Sequence, residues 1–282
     1  MASSFMTILN NRLEMLYRKL FPKKISKIKL YIESLTNSNG LEIEGPSFAF
    51  TKKGFVPIYK HLKSLDGCNF SNNTVWEGKI QGGKSFKYEN KVGYQYILDG
   101  SSLHGIENES YSLILSSHNI EHIANPIKAL YEWKRVLKPY GYMLLIVPHK
   151  DRTFDNKRPL TTFDHVIEDY KNNTTESDNT HFNEIIDLHD LEMDQGVSTI
   201  EELKKRTINN FENRCVHHHT FNSPLVGKML DYIGMKIIDI TAFSPYHIIA
   251  LAQKNENSNL DNYLYISKSS PAYKNSIFPS DR

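Results

Sequence analysis

Residues 111–149 read YSLILSSHNIEHIANPIKALYEWKRVLKPYGYMLLIVPH, and their reading decides the fold. The run from 111 to 117 is apolar, rich in Leu and Ile, and has the length of a buried strand. Asn125-Pro126 then supplies a helix start. An Asn side chain accepts from the first free backbone N–H groups, and Pro already holds the φ of a first helical residue. Ile127, Leu130, Trp133 and Leu137 recur at helical spacing, giving one face that can lie on a sheet. Pro139 and Gly141 stop the helix. Residues 142–147 form a second apolar strand, closed by Pro148. Strand, crossover helix and buried strand predict a parallel βαβ unit.

A similar signal closes the chain. Ser223-Pro224 starts a helix that ends at Gly234, and residues 235–243 and 246–253 read as two strands joined by a Ser-Pro turn. A length of 282 residues suits one large domain with additions, and 39% hydrophobic with 23% charged residues is ordinary for a globular protein. A net charge of +2 selects no partner class. Two cysteines, Cys68 and Cys215, give no disulfide framework and suit a reducing compartment. No run of eighteen apolar residues spans a membrane, and residues 1–20 lack the apolar core of a signal peptide, so the expected location is cytoplasmic.

SSHNIEHIANPIKALYEWKRVLKPYGYMLLIVP resembles the region between the fourth and fifth strands of class I S-adenosylmethionine-dependent methyltransferases. The likeness is carried by Glu121-His122 ahead of the helix and by Arg135-Val136-Leu137-Lys138-Pro139-Tyr140-Gly141 ahead of the next strand. The closing helix, strand and antiparallel strand are similar to the end of the same fold. The resemblance spans residues 39–253 and implies an α/β, Rossmann-like architecture. Its parts are a seven-stranded, mostly parallel sheet, helices on both faces, and a helical insertion at 150–222 after strand five. Residues 1–38 then form a basic amphipathic region, with seven Lys or Arg against one Glu in the first thirty positions. Its helix over 5–21 packs on the domain or offers peripheral membrane or protein contact. Residues 254–282 read as a polar tail.

The resemblance also implies a cofactor, S-adenosyl-L-methionine, and places for it. Within LEIEGPSFAF, 41–50, Glu42 aligns with the acid that ends strand one, and Gly45-Pro46-Ser47 fits a variant of the glycine loop. Glu44, Pro46 and Phe48 stand where glycines usually stand; a carboxylate at 44 would repel the cofactor's own, and a Phe at 48 would fill its path. Asp66, beside a turn signal at Gly67, is the candidate for the ribose hydroxyls. Asp99 and Leu103 match the adenine-side pattern, and Ser117 ends strand four. His118 then stands at the carboxyl end of a central strand, where a neutral imidazole can take a proton from an acceptor hydroxyl.

Other chemistries are legible and weighed against this one. His118-Asn119-Ile120-Glu121-His122 spells H-x-x-E-H, but a zinc peptidase needs that motif on one unbroken helix, and the strand and the Asn125-Pro126 start leave a single turn. His217-His218-His219 cannot share one face; His218 is taken as the member reaching the mouth near His118, with His149 close by, and no metal ligands are assigned. Residues 164–202 carry twelve Asp or Glu against one Lys, read as a helical cap with solvated acidic faces, in which Leu203, Ile208 and Phe211 are candidate anchors. GGKSFKYEN lacks the upstream glycine of a phosphate loop and reads as a hairpin or surface loop. No basic stripe with interleaved aromatics points to nucleic acid. The expected function is methyl transfer to a hydroxyl of a sugar or sugar nucleotide in glycan biosynthesis. The alternatives are a methyltransferase-fold scaffold that has lost donor binding, and a metal-dependent hydrolase built on the His-rich mouth.

Overall fold

The structure, a computed structural model, describes residues 31, 35–255, 261–267 and 270–282. The expected helix over 5–21 lies outside the described residues. Among the described residues there are ten strands: β1 (Asn39–Ile43), β2 (Ser64–Asn69), β3 (Asn73–Thr74), β4 (Gly78–Lys79), β5 (Gly83–Tyr88), β6 (Lys91–Ile97), β7 (Tyr111–Ser117), β8 (Leu137–Pro148), β9 (Met235–Phe243) and β10 (His247–Lys254). The described helices are α1 (Pro126–Val136), α2 (Phe163–Lys171), α3 (Phe182–Leu188), α4 (Ile200–Ile208), α5 (Asn210–Asn213), α6 (Ser223–Tyr232) and α7 (Tyr263–Ile266).

Strands β5-β6-β2-β1-β7-β8-β10-β9 form one eight-stranded sheet in that order, while β3 and β4 make a separate hairpin. The centre, from β6 to β8, is parallel; the β5–β6, β8–β10 and β10–β9 pairs are antiparallel. The expectation of seven strands is corrected to eight, because GGKSFKY folds back on β6 as an antiparallel edge. Central strands are buried on both sides, as a parallel sheet requires. In β7, Ile114 faces one core while Leu113 and Leu115 face the other, and in β8 Met143, Leu145 and Val147 oppose Leu144 and Ile146.

The first core lies under α1, α6, α2 and α7, with Ile127, Leu130, Trp133, Leu225, Met229, Val166 and Tyr265 packed on the sheet. Asn125 caps α1 by accepting from the Lys128 N–H at 3.0 Å, and the Trp133 indole donates to the Gly100 carbonyl at 2.8 Å. Helices on both faces were expected. Among the described residues the second face is covered mainly by residues 48–62, an irregular segment with two 3-10 turns, whose Phe50, Ile58, Tyr59 and Leu62 are fully buried.

Three local readings change. Asp66-Gly67 is no turn but the middle of β2, where the Phe86 ring lies so close that a Cβ on Gly67 would stand 2.1 Å from it. Leu203 is buried as expected, yet Ile208 and Phe211 are 70% and 61% exposed and anchor nothing. Where a polar tail was expected, Tyr265, Tyr273 and Phe278 are buried in the body of the protein. There the Asp281 carboxylate accepts from Ser223 N–H at 2.7 Å and pairs with His149 at 3.1 Å.

Candidate functional site

Strand order reverses between β1 and β7, and the chain leaves both strands at the same edge of the sheet. Open α/β sheets bind ligands at that switch point. A cavity of about 200 Å³ opens there, lined from β1 by Glu44, Pro46 and Ser47, from β2 by Asn69 and Phe70, from β6 by Asp99 and Gly100, and from β7 by Ser117, His118 and Asn119. Trp76 of the β3–β4 hairpin and Glu176 and Arg214 of the 150–222 segment complete its walls.

The loop after β1 is held from beneath. Glu42 is fully buried; it accepts from the Tyr59 hydroxyl at 2.5 Å and from the Ser47 N–H at 3.0 Å. Burial raises its pKa to about 7 against the lowering effect of these bonds. Gly45 sits directly on that carboxyl, since a Cβ there would stand 2.2 Å from the Glu42 Cδ. Glu42 and Gly45 therefore shape the loop, and Pro46 and Ser47 present it to the cavity.

Glu44 has the left-handed φ of 57°, which swings its side chain across to the end of β2. There it accepts from the Phe70 N–H at 2.9 Å and the Asn69 amide at 3.1 Å. Burial raises this carboxyl too, to about 7, with smaller opposing effects from those donors. Near neutral pH it is partly uncharged, which weakens the repulsion expected toward a carboxylate ligand. Phe48 is 68% exposed and points away, so it does not block the loop.

Asp99 has two jobs. One oxygen accepts from the Ser101 N–H and hydroxyl at 2.8 and 2.7 Å, closing a turn; the other pairs with Arg214 at 3.1 Å. Arg214 also binds Glu176 at 2.8 Å, and its guanidinium lies over the Phe70 ring. This clamp joins the 150–222 segment to the rim.

His118 has a φ of 52°, which turns it from the strand into the cavity. Its Nε2 is 2.9 Å from His247 Nδ1, while Nδ1 stands 3.9 Å from Glu121 Oε1, beyond hydrogen-bond range. Desolvation, then the neighbouring His217, holds its pKa below the ordinary value, so the ring is neutral at neutral pH. Behind it, Glu121 is pushed up to about 8 by burial, with Asp155 adding to the rise. His122, lining the cavity, donates through Nδ1 to the Val216 carbonyl at 3.1 Å. His217 is fixed by Asp155 at 2.5 Å, and Arg158 in turn holds Asp155 and the His217 carbonyl.

The residues singled out from sequence thus divide. Pro46, Ser47, Asp99, Ser117 and His118 meet at the cavity. Glu42 and Gly45 support its floor. Asp66 lies away from it, accepting from the Tyr94 N–H and the Tyr111 hydroxyl inside the sheet. Leu103 is buried in the core, its N–H on Glu132. His218 is buried behind the wall, 3.1 Å from the Asn210 amide and 3.4 Å from Glu176. His149 pairs with Asp281 and stacks on Phe278, not at the mouth. Sequence reasoning missed Asn69, Phe70, Trp76, Glu176 and Arg214 and singled out His122 without placing it in the cavity. The end of β2 was findable by noting that a strand of ordinary length carries the chain past Asp66; Glu176 and Arg214 had no local signal.

Residues 59–145 match the methyltransferase domain family. The match runs from the last turn before β2 into β8, leaving β1 and its loop outside. No curated protein matches the sequence. Among solved structures, an S-adenosylmethionine-dependent methyltransferase from Mesorhizobium loti has a TM-score of 0.48 at 12% identity, covering 80% of this chain and 95% of that one. One from Aquifex aeolicus gives 0.38 and 12%, with 81% and 88% covered. The N-methyltransferase NodS from Bradyrhizobium japonicum, solved with S-adenosyl-L-homocysteine, gives 0.42 and 12%, with 82% and 85% covered. No described helix is long and apolar enough to cross a membrane.

Proposed function

We propose that this protein transfers a methyl group from S-adenosyl-L-methionine to a hydroxyl of a small acceptor, a sugar or sugar nucleotide, with His118 as the base. The observation that carries the reading is the convergence of the β1 loop, Asp99 and the inward-turned His118 on one cavity at the sheet's switch point, beside a chain segment that matches a methyltransferase domain. The residues fit the cofactor: Pro46 and Ser47 offer backbone at close approach, and Glu44 and Asp99 offer carboxylates to hydroxyl and amine donors. Gly100 and Ile123 leave an apolar wall between them. When bound, the cofactor supplies an electrophilic methyl on a sulfonium. In place of Asp66, Glu44 is the carboxylate at the end of β2 that suits a ribose diol, since two oxygens match two vicinal hydroxyls.

His118 is neutral and held in one orientation by His247, which leaves Nδ1 to accept the acceptor's proton. The walls from Trp76 and Arg214 restrict water around that hydroxyl. Labelled cofactor offered with a panel of sugars and sugar nucleotides tests the proposal. A methyl ether should form, and His118→Ala should lower kcat by about 10²- to 10⁴-fold with little change in cofactor affinity. Full turnover in that variant would remove His118 from the chemistry.

A further inference from the structure

Outside the cavity, in the segment between β8 and α6, three imidazoles converge from three different parts of the chain. His165 lies in α2, His181 precedes α3, and His219 ends the irregular His217–His219 run ahead of α6. One ring nitrogen from each lies within 4.8 Å of the others. His165 Nε2 and His181 Nε2 are 2.9 Å apart. The three ring centres are 5.0, 5.7 and 5.9 Å apart, with the planes crossed at 89°, 65° and 70°. Three imidazoles sharing one tetrahedral zinc-type cation have nitrogens about 3.3 Å apart and ring centres about 5 Å apart, given metal–nitrogen bonds near 2.0–2.1 Å. The observed ring-centre spacing is close to the second figure, and the one His165–His181 nitrogen pair at 2.9 Å is near the first.

A carboxylate stands beside them. Asp169, one turn after His165 on α2, places Oδ2 3.5 Å from His165 Nε2 and 3.5 Å from His219 Nε2. That oxygen is buried and accepts no hydrogen bond, while its partner Oδ1 is fixed by the Thr174 hydroxyl at 3.0 Å. His219 Nδ1 is likewise buried without a partner, and Nε2 lies 3.2 Å from the Ala124 carbonyl. Each of these two orphaned polar atoms, one on the carboxylate and one on the ring beside it, is costly unless something answers it. His165 and His181 are half-exposed, so an ion can enter from solvent.

The geometry points to a divalent-cation site of zinc type, ligated by His165, His181 and His219, with the Asp169 carboxylate supplying the adjacent negative charge. Its borderline-soft imidazole donors select zinc or cobalt over magnesium or calcium. The site would staple α2, the start of α3 and the His217–Thr220 run to one another. Between two of its members, on the connection from Asp169 to His181, sits Glu176, which binds the Ala124 N–H at 2.9 Å and the Arg214 clamp at the cavity rim. The cation would therefore hold the piece of chain from which the cavity wall is hung.

The test is cobalt(II) titration of the chelator-stripped full chain, read by visible absorption, with zinc(II) displacement and the thermal midpoint as second readouts. A second grouping, Glu121, His122 and His217, also lies within 4.8 Å, and its His122 lines the cavity, so Glu121→Gln is the control. Stoichiometric binding should weaken at least about hundredfold in His165→Ala and in His181→Ala and persist in Glu121→Gln. Zinc should raise the midpoint of the wild type and not of His181→Ala. His181→Cys, which keeps a ligand, should restore binding and covers the case in which the alanine variants fail to fold. No stoichiometric binding by the wild type at micromolar cobalt, or loss in Glu121→Gln with retention in His181→Ala, would overturn the proposal.

Discussion

Glu121 shows what the immediate surroundings of one residue decide. It was legible as part of the Glu-His pair that carries the family likeness and of an H-x-x-E-H string, and the structure makes it a buried carboxyl beside His118 and His122, with Oε2 unpartnered. Its folded pKa, about 8, exceeds the ordinary 4.5 because burial disfavours the anion. A raised carboxyl contributes stability that is complete below its unfolded pKa and lost as pH rises toward the folded one. Glu121→Gln should thus melt near the wild type at pH 5 and above it at pH 8. A midpoint difference that does not change between those pH values would contradict the assignment. At this scale His118 was readable, because a polar residue at the end of an apolar strand is conspicuous. Arg214 was not: it works through a left-handed φ of 52° and partners 38 and 115 positions away, Glu176 and Asp99, which no local pattern encodes.

Among the elements, β7, α1 and β10 could be placed from sequence to within a few residues, since apolar runs and the Asn125-Pro126 cap are local signals. β2 was misread as a loop because Asp66-Gly67 imitates a turn; the glycine is there for the Phe86 ring. The loop after β1 had lost its usual glycines, and only the buried pair Glu42–Tyr59 shows what shapes it instead. This makes Gly45 the sensitive position. Glu42 is pinned by Tyr59 and Ser47 and cannot yield to an added methyl, so Gly45→Ala should cost about 1–3 kcal/mol in thermal or denaturant unfolding. It should also weaken cofactor binding. An unchanged midpoint would show that the loop can move off Glu42.

Across the whole molecule, the Rossmann-like α/β architecture was legible through a resemblance carried by two segments a hundred residues apart, but the role of residues 261–282 was not. Its polar composition hides three aromatic anchors spaced too widely to show a period. Phe278 is fully buried against His149, and Asp281 ties this last turn both to His149 after β8 and, by accepting from Ser223, to the start of α6. Phe278→Ala should cost about 3–5 kcal/mol by denaturant unfolding. A loss under about 1 kcal/mol would mean that the end is dispensable.

The central claim is that a β1 loop carrying Glu44, Pro46 and Phe48 still serves a methyl-donor site. Calorimetric titration of the full chain with S-adenosyl-L-homocysteine, with Asp99→Ala alongside, tests it most directly. Micromolar binding that weakens at least tenfold in the variant is the expected result; no heat of binding at millimolar ligand would contradict the claim.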